Sequence, residues 1–277
     1  MKETVRLLLL HLQAGGDTIL NVATSTGAYP SLAGSWLDPR RLRRLLAQYE
    51  PPAGQAGSSL YIRPRAAPSF LGESGPEGVA WRERLLLLGD QVLQSDTGVV
   101  GLRAGAAGLV IMPPFPLHES QLVERWDPAI LLDMLDKEYT VGVVLLRLGR
   151  FSVAVYRGEH LQASKTDARY VKGRHAAGGT SQKRFERIRQ GQMRLIFEKT
   201  CRAVHDQFAP FAGQLDYLLL GGERFTLNGL LKSCPELESL RPITLARRLN
   251  VRDPKRDTLD GVGTMLRESR VWTSDGP

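Results

Sequence analysis

Cysteine is nearly absent from this chain of 277 residues, where Cys201 and Cys234 are the whole complement. Two thiols so far apart build no disulfide framework and match no metal-ligand spacing, so both are expected as core or half-buried thiols. The five histidines (His11, His118, His160, His175, His205) are scattered without a paired-ligand motif. We therefore assign no metal and no cofactor. Long hydrophobic runs are missing too. The apolar run Leu7 to Leu10 stops at His11, far short of the roughly 20 residues that span a bilayer, and no cleavage pattern follows it. Neither secretion nor membrane insertion is expected, and the cytoplasm is the expected location. Acidic residues are also short, 29 against 37 basic ones, which leaves a formal charge of +8 and favours an anionic partner.

The residues that are present give one large domain or two small ones. Asp38-Pro39-Arg40 reads as a helix start, with Asp38 as cap, Pro39 in the first turn and an apolar stripe at Leu42, Leu45 and Leu46. Pro51 to Ser59 is a turn-rich linker, Leu60 to Pro64 a short strand, and the Pro/Gly-rich stretch to Gly78 irregular. Trp81 to Gln94 is expected as helix, Gly108 to Met112 as strand, and Asp127 to Leu135 as helix with Asp127 capping. The clearest β signal is a three-stranded meander from Val141 to Lys165, with turns at Gly149-Arg150 and Arg157-Gly158. A further buried strand is expected at Leu215 to Leu220, ending in Gly221-Gly222. We expect an N-terminal α/β region over 1–125 and a second domain over 126–277.

Between the meander and that last strand lies one long helix, about Gln182 to Phe208. At 100° per residue, Phe185, Met193, Ile196, Phe197, Cys201, Val204 and Phe208 share one side, and Arg184, Arg187, Arg194, Glu198 and Arg202 the other. The apolar side should cover the sheet and leave the basic side free. Upstream stands KGRHAAGGTSQKRFERIR, Lys172 to Arg189. Gly178 and Gly179 allow a loop to extend or turn left-handed, and Gln182 supplies an amide donor and acceptor. From Arg169 to Arg194 eight basic residues face a single acid, Glu186. Such a concentration is the footprint of a polyanion.

The run His175 to Arg189 resembles the catalytic loop and following helix of the eukaryotic and archaeal peptide-chain release factor, in which a Gly-Gly-Gln loop precedes a basic helix beginning Arg-Phe. The resemblance covers roughly Thr140 to the C-terminus. With Arg184-Phe185 aligned without a gap, Thr180 stands where that family has its glutamine, and Gln182 comes two residues later. A displaced glutamine is similar to the release-factor-like proteins of ribosome quality control, which release stalled chains from the large subunit and have bacterial relatives. Lys172-Gly173-Arg174 and Pro113-Pro114-Phe115-Pro116 also look like the bacterial members.

The resemblance implies an α/β (α+β) fold. Its catalytic domain would be ribonuclease H-like, a mixed β-sheet with packed helices like the central domain of the release factor, joined to a small α/β N-terminal region. It implies a codon-independent peptidyl-tRNA hydrolase whose partners are the rRNA of the large ribosomal subunit at the peptidyl-transferase centre and the acceptor end of peptidyl-tRNA. We expect it to act as a monomer and without a metal. Gln182, Gly178 and Gly179 take the catalytic roles, while Lys172, Arg174, His175, Lys183, Arg184, Arg187 and Arg189 contact RNA. The substrate is an activated ester, so one oriented water and a stabilised oxyanion suffice. The backbone amide facing that oxyanion is left open between the neighbourhoods of Thr180 and Gln182. Ser181 reads as a hydroxyl cap for the helix. A triphosphate loop is excluded, because Gly-Gly-Thr-Ser-Gln-Lys lacks the Gly-Lys-Ser/Thr ending. Two alternatives stay open: an RNA nuclease trimming tRNA at the same site, and a non-catalytic ribosome-binding factor.

Overall fold

The computed structural model describes residues 34–52, 54–147, 149–168 and 180–274, with the backbone alone over 180–186. In chain order the elements are β1 (Ser35–Leu37), α1 (Pro39–Tyr49), β2 (Gly57–Ile62), α2 (Ala67–Glu73), α3 (Gly75–Leu88), α4 (Asp90–Leu93), β3 (Val99–Ala104), β4 (Ala107–Met112) and β5 (Gln121–Val123). There follow α5 (Ala129–Asp136), β6 (Thr140–Arg147), β7 (Arg150–Arg157), β8 (His160–Ala168), α6 (Thr180–Phe208) and β9 (Tyr217–Gly222). The chain closes with α7 (Arg224–Ser233), α8 (Pro235–Ser239), β10 (Thr244–Leu249), α9 (Leu259–Leu266) and β11 (Ser269–Ser274).

Two sheets result. One runs β1-β11-β4-β3-β2-β5 and the other β10-β9-β6-β7-β8. The second is mixed: β6, β7 and β8 are the expected antiparallel meander, and β9 pairs parallel with both β6 and β10. Its central strand explains why the sequence there is an unbroken apolar run. Val141, Val143 and Leu145 point into a core that also holds Tyr61, Leu102 and Ile111 of the first sheet. Val144 and Leu146 alternate to the opposite face and meet Ile196, Val204 and Phe208 of α6. The first sheet is covered on its other face by α2 and α3, where Trp81 and Leu85 pack on Leu60, Ile62 and Trp272. The last strand of the chain, β11, pairs with β1 and β4 and so completes the first sheet.

Local expectations hold where capping chemistry is strong. Asp38 accepts a hydrogen bond from the Arg41 N–H at 2.9 Å and starts α1. The expectation at Asp127 is shifted: α5 begins at Ala129 with Pro128 at the cap position, and Asp127 Oδ1 accepts from the Ala129 N–H at 3.1 Å from one residue further out. Three readings need correction. The Pro/Gly-rich stretch before Gly78 is not irregular: Pro68 and Pro76 sit in the first turns of α2 and α3, where a missing N–H costs nothing. The helix expected to begin near Trp81 already starts at Gly75 and ends at Leu88, before Gly89. Cys201 and Cys234 are not thiols but a disulfide, with Cα atoms 5.4 Å apart, because α6 and α7 pack side by side.

Candidate functional site

The geometry of the site follows from strand register at one end of the second sheet. Arg147 at the end of β6 pairs with Arg150, and Arg150 pairs with Ala168 at the end of β8, so these ends lie level. Gly222 at the end of β9 is level with Leu146 on the same side. Strand β8 ends here at Ala168, and the next described element is α6, from Thr180. Helix α6 then returns across the sheet. Lys199 Nζ donates to Asp167 Oδ2 at 2.9 Å near this end, and at the opposite end a Cβ built on Gly142 would meet Phe208 Cζ at 3.0 Å.

Only the second half of α6 is thus in register with the sheet. From Arg187 to Leu195 no side chain is buried, whereas Ile196 is 1% exposed and Thr200 and Val204 are buried after it. The residues from Thr180 to Gly191 precede Met193, which packs against that core, and project as a helical arm about 18 Å long at 1.5 Å per residue. The exposed side carries Arg187, Arg194 and Arg202, the face that the periodicity assigned to solvent. At the root, Asp167 has its carboxyl held below the ordinary range, first by the hydrogen bond from Lys199 and further by the Ala168 N–H and the Lys165 charge. Helix α7 runs beside the root in the same sense: its Gly229 faces the Phe197 ring, and Cys234 just beyond its end bonds Cys201.

The expected site residues divide accordingly. Lys172, Arg174, His175, Gly178 and Gly179 lie outside the described residues. Gln182, Lys183 and Arg184 belong to the first turns of α6, and their side chains lie outside the described residues. Arg187 is exposed on the arm and Arg189 is partly buried. Ser181 corrects its expected role, since the helix already includes Thr180 and so begins before it. Gln182 is correspondingly placed in a helical first turn rather than on a loop ahead of the helix.

A second basic group arrives at the same end of the sheet and was not singled out from sequence. Strand β10 runs parallel to β9, and Arg248 lies opposite Leu220 near the strand ends. The chain beyond it folds over this end: Arg147 Nε donates to the Val251 carbonyl at 3.2 Å, Arg150 pairs with Asp253 at 3.4 Å, and Ser152 Oγ donates to the Pro254 carbonyl at 2.8 Å. Arg248, Arg252, Lys255 and Arg256 are exposed there. Their signal was the run RRLNVRDPKR, whose position depends on a parallel pairing that sequence does not announce.

Residues 139–272 match the family profile described as the Actinobacteria/chloroflexi VLRF1 release factor, acVLRF1. Peptide chain release factor subunit 1 of Archaeoglobus fulgidus is 26% identical over 109 residues, covering 39% of this chain and 27% of that protein. The same subunit of Methanosphaera stadtmanae is 31% identical over 98 residues, covering 35% of this chain and 24% of that one. The matched segment thus spans about a quarter of the length of these relatives. A crystal structure of an archaeal translation termination factor, aRF1, aligns over 82% of this chain and 71% of its own with 16% identity and a TM-score of 0.34. Because the profile match contains β6 to β9 and the projecting α6, residues 139–272 form a release-factor-like protein segment of the VLRF1 type.

Proposed function

We propose that this protein is a peptidyl-tRNA hydrolase that rescues stalled nascent chains at the large ribosomal subunit in the cytoplasm. The observation that carries the reading is the projecting arm. Its basic helix begins at Thr180, directly after Gly178 and Gly179 in the sequence, which supports a probe that enters an RNA-walled site. Lys172, Arg174, His175, Lys183, Arg184, Arg187 and Arg189 contact rRNA and tRNA phosphates, which position the tip without reading sequence. Gly178 and Gly179 let the chain approach the terminal adenosine closely, and the Gln182 amide orients one water on the ester carbonyl.

The helical position of Gln182 supports one way of meeting the oxyanion. The first four N–H groups of a helix have no intrahelical partner and lie at the positive end of its dipole. With α6 beginning at Thr180, the backbone N–H groups of Thr180, Ser181 and Gln182 belong to that first turn. That turn offers donors for a developing negative charge and a holder for water without a metal.

The test is hydrolysis of purified peptidyl-tRNA with and without large subunits, in the absence of any codon. Wild-type protein is expected to release peptide only with subunits and to leave the tRNA 3′ end intact. Gln182→Ala is expected to reduce release at least about 100-fold, the scale of losing one oxyanion or water-holding group, while subunit binding stays within about twofold. A shortened tRNA product would identify a nuclease instead. Full release by the Gln182 variant would remove the residue from the mechanism, and binding without any release by wild type would leave a non-catalytic anchor.

A further inference from the structure

The root of the arm holds a cluster that the proposed hydrolysis does not use. Cys201 and His205 stand one turn apart on α6, Cys234 lies between α7 and α8, and Glu236 is in the first turn of α8. One carboxylate oxygen of Glu236 and the two cysteine sulfurs all lie within 4.8 Å of one another. His205 Nδ1 is 2.6 Å from Glu236 Oε1. Glu236 Oε2 is buried and has no hydrogen-bond partner. A buried carboxylate oxygen that receives no hydrogen bond is costly unless a cation neutralises it.

Two sulfurs, an imidazole nitrogen and a carboxylate oxygen form a mixed donor set of the softness that zinc selects. We propose that, once the disulfide is reduced, Cys201, Cys234, Glu236 and His205 bind one zinc-class divalent cation that fastens the root of the arm to α7 and α8. A soluble dithiol is the reductant. It gives two electrons to the sulfur–sulfur bond and becomes a disulfide itself, while two protons end on the cysteine sulfurs. Metal binding then displaces those two protons as the thiolates coordinate. Tetrahedral geometry with metal distances of about 2.0–2.3 Å sets donors about 3.3–3.8 Å apart, so the carboxylate need close by only about 1 Å. The two sulfurs, freed from their bond, must part to the same separation, and the His205 ring must turn in beside Glu236 to complete the set. In a reducing compartment, where disulfides do not persist, the metal would keep the same two elements joined. This inference stands apart from the hydrolase reading, since it concerns how the arm is anchored rather than what its tip does.

The full chain, reduced with a phosphine under argon and stripped of metal, is titrated with Co²⁺ and then Zn²⁺, beside the oxidised chain. The reduced chain is expected to bind about one Co²⁺, with tetrahedral visible bands and a thiolate charge-transfer band that Zn²⁺ abolishes. The oxidised chain should show no such band. Glu236→Gln and His205→Ala should each weaken binding about 10- to 100-fold with the band retained, and Cys201→Ser should remove much of it. The titration of unmodified protein decides the matter even if a cysteine variant fails to fold. Cobalt left unbound by the reduced chain, or bound without a thiolate band, would overturn the site and leave the cysteines as a disulfide pair alone.

Discussion

Gly222 and Gly191 show how differently one added Cβ can act within the same domain. Gly222 ends β9 with φ +137, and a Cβ built there would stand 2.0 Å from the Leu146 carbonyl oxygen. Backbone blocks it, so no side chain can swing aside, and the conformation is one that L residues rarely adopt. Gly191 lies in the projecting half of α6 with nothing within 4 Å of the same position. Gly222→Ala is expected to destabilise by about 2 kcal/mol or more, and Gly191→Ala to stabilise by about 0.5–1 kcal/mol through helix propensity alone. Urea denaturation checks both, as opposite shifts in midpoint at constant slope. A Gly222 variant with an unchanged midpoint would mean that the turn into α7 is not constrained by Leu146.

At the scale of the element, α6 is one helix with two kinds of support. From Ile196 onward it has the sheet beneath it, the disulfide to Cys234 and the Lys199–Asp167 pair, whereas among the described side chains before it, Arg187 to Leu195, none is buried and Met193 is the one hydrophobic packed against the core. A helical stretch of that length is marginal without packing. Amide exchange is therefore expected to change abruptly near residue 195, with slow exchange from Ile196 to Phe208 and fast exchange before Leu195. The pair at the root adds a pH dependence of known sign. Hydrogen bonding from Lys199 lowers the Asp167 pKa, so the stabilisation is present above the ordinary carboxylate pKa and is lost as pH falls through the lowered value. Both groups are partly exposed, so the effect is small in global stability, and protection at residues 196 to 200 should fall at acid pH. Uniform exchange along all of α6 would show that the arm is supported by something other than the sheet.

The whole molecule explains which of these features could be read from sequence. The meander, β9 and the two faces of α6 were legible because each rests on local pattern: an unbroken apolar run, glycine turns and a 3.6-residue period. The disulfide was hidden by the 33 residues between its partners, which only the side-by-side packing of α6 and α7 brings together. The same holds for β10, whose alternation is masked by Arg247 and Arg248, and whose parallel partner lies on the far side of two helices in the chain. The consequence for the site is that its positive charge has two sources, the arm and the chain end after β10, placed at one end of one sheet. Arg248 and Arg252 belong to the second source, are exposed, and lie in no element that packs on the core through them. Arg248→Glu with Arg252→Glu should therefore leave the urea midpoint equivalent to within about 0.5 kcal/mol. If both side chains meet phosphates, the variant should bind large subunits more weakly at every salt concentration, and the slope of log K against log salt should shrink by about 1.4–1.8, or about 0.7–0.9 for each phosphate no longer neutralised. Reversal of Arg184 and Arg187 on the arm should produce a slope change of the same size if the two sources act on one polyanion, as the proposed function requires. A slope altered by the arm variant but untouched by the Arg248/Arg252 variant would confine the RNA footprint to α6 and leave the second basic group as solvated surface.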